Sequence, residues 1–322
     1  MGNIIQNSSP VSLKSRTEMR KHRGQGGKIS IIFYIFSILI LVFAGAAYPQ
    51  GLVVMAKKVS GELPLDPAGD IWQKAPSLEI PLAAQVMAKP RIYDSKIKSL
   101  SIRALHNTKD IAFLVEWADH ARDASLDIGE FSDAVALEFP SSNARGKPHF
   151  AMGDEENASN IWYWKAAWQE RLEGKKSYAA ADDFTGGMQA GNSVSRRTSP
   201  VENITAQGFG SANEMEKAEV QNITGNGKWQ SNKWKVVFKR ALTTPESLNV
   251  SFKEGGVTPI AFAVWDGISG DRGSRKVVST WYYVGLETEE KKTIYLYAVI
   301  ALVAAAGIET GIIFGIRKKR RR

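Results

Sequence analysis

The chain has few of the side chains that usually bind metals or act as nucleophiles. Its 322 residues include no cysteine, which excludes disulfides, Cys-ligated zinc, iron–sulfur clusters, thioether-attached haem and a thiol nucleophile. A multi-histidine metal centre is not predicted either, because the chain has only four histidines: His22, His106, His120 and His149. The GxSxG, HExxH, Walker and GxGxxG-helix motifs are also absent from the sequence. A chemical site must therefore use other residue types.

Aromatic residues are concentrated in two segments. In the first, Asn160-Ile-Trp-Tyr-Trp-Lys165 is followed by Trp168. The second is Pro259-Ile-Ala-Phe-Ala-Val-Trp-Asp-Gly267, which leads into a segment from Asp271 to Trp281. Such density is typical of a pocket for a large flat apolar ligand, and equally of a heavy hydrophobic core.

The net charge of +9 comes from the two ends of the chain. Residues 1–28 sum to +5 and residues 317–322 to +6, which leaves −2 for residues 29–316. A nucleic-acid-binding domain would carry its positive charge on the folded surface. This distribution therefore argues against nucleic acid as a partner.

Two apolar segments adjoin these basic ends. Residues 29–47 contain no charge and residues 293–316 contain only Glu309, so each can cross a bilayer as a helix of about 20 residues. Because basic clusters stay on the cytoplasmic side, we expect a cytoplasmic leader (1–28), a transmembrane anchor (29–47), an extracytoplasmic body (48–292), a transmembrane helix (293–316) and a cytoplasmic tail (317–322). Alternatively, residues 29–47 belong to a signal peptide cleaved after Ala44-Gly45-Ala46. Either reading exports the body.

The body is predicted to be all-β, most simply a β-sandwich. Short runs rich in β-branched and aromatic residues are bounded by Gly, Pro, Asn and Asp. These runs are residues 98–105, 111–117, 134–139, 233–240, 248–252, 260–265 and 276–284. Residues 184–212 are rich in Gly, Ser, Asn and Thr, which predicts a long loop or insertion.

Several segments, taken in order, resemble a known family. They are Trp117-Ala-Asp119, Phe131-Ser-Asp133 with the following Ala134–Pro140, Met152-Gly-Asp154, Asn160–Lys165, Ala261–Gly267 and Arg275–Trp281. Over about residues 60–286 the chain resembles the haem b-binding gamma subunit of the type II dimethyl sulfoxide reductase family. Relatives in that family include ethylbenzene dehydrogenase, selenate reductase and dimethyl sulfide dehydrogenase.

The resemblance implies a β-sandwich that holds one non-covalent haem b, with Met152 and Lys276 as axial ligands of the iron. A thioether raises the potential of haem iron, whereas a lysine ligates only as the neutral amine. With a reference pKa of ~10.4, deprotonating lysine at pH 7 costs about 4.6 kcal/mol, which burial and the iron–nitrogen bond must offset. Two protein ligands leave no open position, so the site should carry electrons.

Other assignments remain open for these residues. Met152 could be core filler and Lys276 a surface charge, and His149 is the rival ligand, followed by His106 and His120. Trp162, Trp164 and Trp265 are assigned to the haem pocket, although each is also a plausible core residue.

By resemblance, the chain is not itself an enzyme. It is an electron-transfer subunit that works with a molybdopterin catalytic subunit, an iron–sulfur subunit and a further carrier: a cytochrome, a copper protein or the quinone system of the membrane. The C-terminal span departs from the soluble periplasmic members of the family. An anchored carbohydrate-binding module, whose aromatic residues stack on sugars, is the alternative. A hydrolase using acids such as Asp154 has no supporting motif.

Overall fold

The computed structural model describes residues 52–125, 128–174, 199–211, 213–214 and 221–288, together with isolated positions 304, 307, 311, 314, 315, 318 and 319. The continuous described segments contain a short 3-10 helix (Asp70–Lys74), one α-helix, α1 (Ala166–Leu172), and fourteen strands, and the isolated positions are helical. The strands are β1 (Val53–Lys58), β2 (Leu78–Pro81), β3 (Ala83–Ala84), β4 (Ser99–His106), β5 (Asp110–Ala118), β6 (Ala134–Pro140), β7 (Ser159–Lys165), β8 (Val201–Ala206), β9 (Asn213–Glu214), β10 (Thr224–Trp229), β11 (Lys233–Ala241), β12 (Val257–Trp265), β13 (Val277–Val278) and β14 (Tyr282–Leu286).

The strands lie on one hydrogen-bonded path that folds over on itself. The first half has the order β10-β11-β5-β4-β1-β14, with β2 beside β4. The second half has the order β12-β6-β7-β8-β9, with β13 beside β12 and β3 beside β13. Strand β12 joins the halves, since Val257–Ile260 pair with β14 whereas Ala261–Trp265 pair with β6. The prediction of an all-β fold is confirmed, but the strands form one continuous sheet and not the two separate sheets of a simple β-sandwich.

The main core lies between the two halves of the sheet. Alternate residues of β5, β6, β7 and β11 point into it, as the two-residue period of a strand requires. Phe113 and Trp162 meet at 5.9 Å between ring centroids, and Trp117 stacks on Trp234 at 6.3 Å. Each such buried side chain contributes roughly 1.5–3 kcal/mol of transfer free energy, which makes this layer the main stabilising element.

Two predicted secondary-structure assignments are corrected by the structure. Residues 248–252 form no strand; Val250 and Phe252 are buried, but the backbone N–H of Val250 donates to the Asn160 side chain rather than to a strand partner. The predicted loop 184–212 contains strand β8, because Asn203 is satisfied there by buried hydrogen bonds to Asn160 and Asn249. Residues 184–198 and 212 of that loop lie outside the described residues.

Most residues of the two predicted membrane segments lie outside the described part of the chain. Residues 1–51 lie outside the described part of the chain, and only isolated positions of 293–316 are described. Among the described residues, no helix has both the length and the apolar character needed to cross a bilayer.

Candidate cofactor site

A cavity of about 610 Å³ lies on the outer face of the second half of the sheet. Its floor is made by β6, β7, β8, β12 and β13, and loops near residues 85–89, 150–152, 209–210 and 273–276 form its walls. A volume of this order suits a cofactor-sized ligand. The lining is predominantly apolar, with a few polar groups: Gln85, Lys89, Glu138, Ser274 and Lys276.

Small side chains on the outer face of the strands create this space. In β6, Val135 and Leu137 point into the main core, whereas Ala136 lines the cavity. In β12, Val264 points into the core and Ala263 lines the cavity. Successive side chains of a strand face opposite sides, so alternating large and small residues give one packed face and one hollow face.

Met152 lines the cavity from a tight turn between β6 and β7. Its backbone φ is 71°, a left-handed conformation that costs a non-glycine residue roughly 1–2 kcal/mol. The turn is closed by the N–H of Gly153, which donates to the carbonyl oxygen of His149 at 2.9 Å. The N–H of Gly208 donates to the Met152 carbonyl oxygen at 2.7 Å. A strained residue held by several bonds is typical of a functional position.

Gly153 is required by the close approach of three chain segments. Its φ is +80°, and a Cβ atom there would lie 2.8 Å from the carbonyl oxygen of Ala206 and 3.1 Å from the nitrogen of Ser159. A side chain would therefore separate the Met152 turn from strands β7 and β8.

Lys276 reaches the cavity from the residue before β13. It is only 7% exposed, and its Nζ lies 4.9 Å from the centroid of the Trp265 ring. Burial lowers the pKa of the Lys276 amine, and the charge of Glu138 opposes this effect. The environment thus shifts the lysine towards the neutral amine, which is the form that can donate a lone pair to a metal.

Glu138 is a buried carboxyl group in the floor of the same cavity. Its Oε1 accepts hydrogen bonds from Ser159 Oγ at 2.7 Å and from the Met152 N–H at 3.1 Å. Burial raises the pKa of Glu138 to about 7, while the Ser159 hydroxyl and Lys276 lower it. Sequence analysis did not single out this residue, although a lone carboxylate among the apolar residues of β6 was a usable signal.

A glutamine fastens the wall formed by residues 85–89. Gln85 is 2% exposed, and its Nε2 donates to the carbonyl oxygens of Ser274 at 2.6 Å and Ala88 at 3.0 Å. Its N–H donates to the carbonyl oxygen of Lys276 at 3.1 Å. The wall and the segment that carries Lys276 are therefore one hydrogen-bonded unit.

Residues 69–277, which include all the cavity residues just described, match the family described as ethylbenzene dehydrogenase. The chain belongs to this family. This match and the three relatives described next confirm the resemblance to the haem subunit of type II dimethyl sulfoxide reductases.

Three relatives of the chain carry subunit names. A Haloferax mediterranei protein named as a respiratory nitrate reductase heme subunit is 25% identical over 238 residues, 74% of each chain. Chlorate reductase subunit gamma of Ideonella dechloratans is 24% identical over 74% of this chain and 88% of its own length. Dimethylsulfide dehydrogenase subunit gamma of Rhodovulum sulfidophilum is 26% identical over 68% of this chain and 74% of its own.

Solved structures similar to this ethylbenzene dehydrogenase family chain include a family 9 carbohydrate binding module from Caldicellulosiruptor kristjanssonii. In its glucose complex the TM-score is 0.40 at 7% identity, over 74% of this chain and 97% of the module. In its cellotriose complex the TM-score is 0.40 at 8% identity, over 74% and 95%.

The residues predicted for the site divide into two groups in this family member. Met152, Lys276 and Trp265 all line the cavity. Trp162 and Trp164 do not, because they occupy inward-facing positions of β7 and are buried in the main core. The intervening Tyr163 lines the cavity instead, with its ring 5.1 Å from that of Trp265.

The rival histidine ligands are not cavity-lining residues, although His149 stacks on the lining residue Phe150. His149 and His120 are exposed, and the buried His106 sits at the end of β4, where its Nε2 is 2.9 Å from the Glu287 carbonyl oxygen. None of these three histidines lines the cavity, and His22 lies outside the described residues.

The donor set of the cavity fits a haem. A soft thioether and an amine shifted towards its neutral form line one largely apolar space, together with the aromatic rings of Trp265 and Tyr163. Thioether and uncharged nitrogen donors suit haem iron, and apolar walls suit the porphyrin.

Proposed function

We propose that this chain is the haem b electron-transfer subunit of a membrane-associated molybdopterin oxidoreductase complex. The observation that carries the proposal is that Met152 and Lys276 line the same cavity, in which burial lowers the lysine pKa. The names of the relatives support it, since one is a heme subunit and two are gamma subunits of a reductase and a dehydrogenase.

The Met152 sulfur and the Lys276 Nζ would hold one non-covalent haem, which supplies reversible one-electron chemistry when bound. Glu138 positions the Met152 turn through the backbone N–H. Gln85 holds the segment that carries Lys276, and Trp265 and Tyr163 exclude water from the apolar walls. With the Met152 sulfur and the Lys276 amine both holding the haem iron, the site would leave no place for a substrate, so this subunit would carry electrons rather than catalyse the reaction.

In the proposed complex, electrons pass between an iron–sulfur subunit and an external or membrane carrier, which is a cytochrome, a copper protein or quinone. We also propose that the β-body lies outside the cytoplasm and that residues 293–316 anchor it. N-terminal sequencing of the mature protein tests the first segment: a start near Tyr48 would show cleavage and reject an anchor at residues 29–47.

Visible spectra of the purified full-length chain, with and without added haem, test the proposal. The wild type should give a Soret band and a low-spin six-coordinate spectrum. Met152→Leu and Lys276→Ala should each give a high-spin or haem-free protein, whereas His149→Ala, a change at an exposed residue outside the cavity, should match the wild type.

Two outcomes would contradict the proposal. If only His149→Ala changed the spectrum, the assignment of the ligands would fail. A folded wild-type chain that stays colourless under every loading condition would reject haem binding and favour the carbohydrate-binding alternative. Titrations with glucose and cellotriose would then test that alternative.

A further inference from the structure

Three buried aspartates meet at one end of the sandwich. Asp119 follows β5, Asp133 precedes β6 and Asp266 follows β12, and they are 4%, 0% and 3% exposed. One carboxylate oxygen from each lies within 4.8 Å of those of the other two. Three separated segments thus bring their acidic groups to one buried point.

Hydrogen bonds satisfy only part of this cluster. Both oxygens of Asp133 accept hydrogen bonds, Oδ1 from the Gly267 N–H at 2.9 Å and Oδ2 from the Trp234 indole at 2.8 Å. Asp119 Oδ1 accepts from the Ala121 N–H at 3.1 Å. The Trp117 indole N–H lowers the pKa of Asp119, but Asp119 Oδ2 is buried without a hydrogen bond of regular geometry. Asp266 Oδ2 accepts from a serine hydroxyl, but its Oδ1 is also buried without a partner.

The described residues give the cluster no ion-pair partner. Within the described part of the chain, no lysine or arginine forms an ion pair with Asp119, Asp133 or Asp266; the nearby Arg122 pairs with Glu170 and Arg275 with Asp271. Burial raises the pKa of Asp133 to about 8 and that of Asp119 to about 6, and each carboxylate is further affected by an acidic neighbour. Buried acids of this kind need either a shared proton or a bound cation.

We propose that Asp119, Asp133 and Asp266 bind one Ca²⁺ ion. The donors are all oxygens, which hard divalent cations prefer over thioether or imidazole sites. Ca²⁺ accepts six to eight oxygens in an adaptable arrangement, whereas Mg²⁺ demands a regular octahedron and keeps several waters. The two unpartnered oxygens, Asp119 Oδ2 and Asp266 Oδ1, are the available ligand atoms, and the Ser269 hydroxyl lies 2.6 Å from the other oxygen of Asp266.

This cation site would organise the loop that carries Lys276. Asp266 directly follows the cavity residue Trp265, and the loop from Asp266 ends at Lys276. The loop packs tightly at its start, since a Cβ on Gly267 would lie 2.1 Å from the Phe131 carbonyl oxygen. The proposal goes beyond electron transfer and does not depend on it, because the site needs only the three acids.

Metal binding by the full-length chain tests this inference. After chelator treatment and dialysis, titration with Ca²⁺ should show about one ion per chain. It should raise Tm by about 5 °C at concentrations well above Kd, more than NaCl at matched ionic strength. Elemental analysis of the protein purified without chelator should show calcium in the same ratio.

Two amide variants locate the site and a third serves as the control. Asp119→Asn and Asp266→Asn keep the shape and one oxygen, and each should lower Ca²⁺ affinity at least about 10-fold. In chelator both should be at least as stable as the wild type, because one charge of the cluster is removed. Asp66→Asn, at an exposed aspartate that is not one of the three acids, should bind Ca²⁺ as the wild type does.

The proposal is overturned if the wild type binds no stoichiometric Ca²⁺ and its Tm responds only to ionic strength; the cluster then holds shared protons. It is equally overturned if both amide variants bind Ca²⁺ with unchanged affinity, which would place the ion elsewhere. Neither result would contradict haem binding by Met152 and Lys276, which the visible spectra of the wild type and its variants test on their own, so the two proposals fail separately.

Discussion

The backbone N–H of Met152 donates to Glu138 Oε1 at 3.1 Å, so the turn that presents the thioether is tied to the strand beneath it. The same oxygen accepts from Ser159 Oγ at 2.7 Å, and burial raises the pKa of Glu138 to about 7. One carboxylate therefore links β6, β7 and the Met152 turn, and its charge also acts on the amine of Lys276, which lines the same cavity. This link explains why a charged residue interrupts the apolar face of β6.

Changing Glu138 should separate its acceptor role from its charge. Glu138→Gln keeps an oxygen for the Met152 N–H and should retain most of the haem. Glu138→Ala leaves two buried donors unpaired and should cost roughly 1–3 kcal/mol in the free energy of unfolding, with loss of the low-spin spectrum. Urea denaturation and the Soret band measure the two effects; equal haem content in both variants would show that Glu138 does not position the turn.

Gly153→Ala should disrupt the Met152 turn. The alanine Cβ would lie 2.8 Å from the Ala206 carbonyl oxygen, in addition to the cost of its positive φ. Gly61→Ala is the matched control, because its φ is +86° with nothing within 4 Å of the added Cβ. The control should cost about 1 kcal/mol and keep the haem. Gly153→Ala should lower the free energy of unfolding by more than the control does and should lose haem. Equal destabilisation of the two variants would mean that the chain segments around Gly153 move apart at no cost.

Ala136→Leu should close the cavity without unfolding the protein. Ala136 lies on the hollow face of β6, so the larger side chain projects into open space rather than into the main core. We expect a folded chain with little change in Tm and much lower haem content, measured by absorbance per chain. Ala136→Ser keeps the space and should bind haem normally. Full haem binding by Ala136→Leu would show that the cofactor lies elsewhere.

The stability of the metal-free protein should fall as pH rises from about 4 to about 8. Burial raises the pKa of Asp119 to about 6 and of Asp133 to about 8, above ~3.9 in the unfolded chain. The folded state then binds more protons, so their stabilising contribution is complete below the unfolded pKa and is lost as pH rises through the folded values. In urea titrations with chelator present, the free energy of unfolding of Asp119→Asn should decrease less with pH than that of the wild type. Parallel pH curves for the variant and the wild type would contradict this prediction.

Local sequence patterns were sufficient for the main strands of the sheet. Alternating apolar residues predicted β4, β5, β6, β11 and β12, because a strand buried on one face must repeat every two residues. They were insufficient at residues 248–252, where the Asn160 side chain replaces a strand partner, and at β8, where Asn203 is buried through side-chain hydrogen bonds. Contacts between distant residues decided both cases.

The sequence by itself determined the all-β class, the family and two candidate ligands, Met152 and Lys276, since residue order and composition carry that information. Only the tertiary structure decided which side chains share the cavity: Tyr163 faces it, while Trp162 and Trp164, one residue to either side, face the core. It also brought Glu138 to Met152 and assembled Asp119, Asp133 and Asp266. The physical reason is that a strand alternates its faces and that burial, which shifts each pKa, depends on segments far apart in the chain.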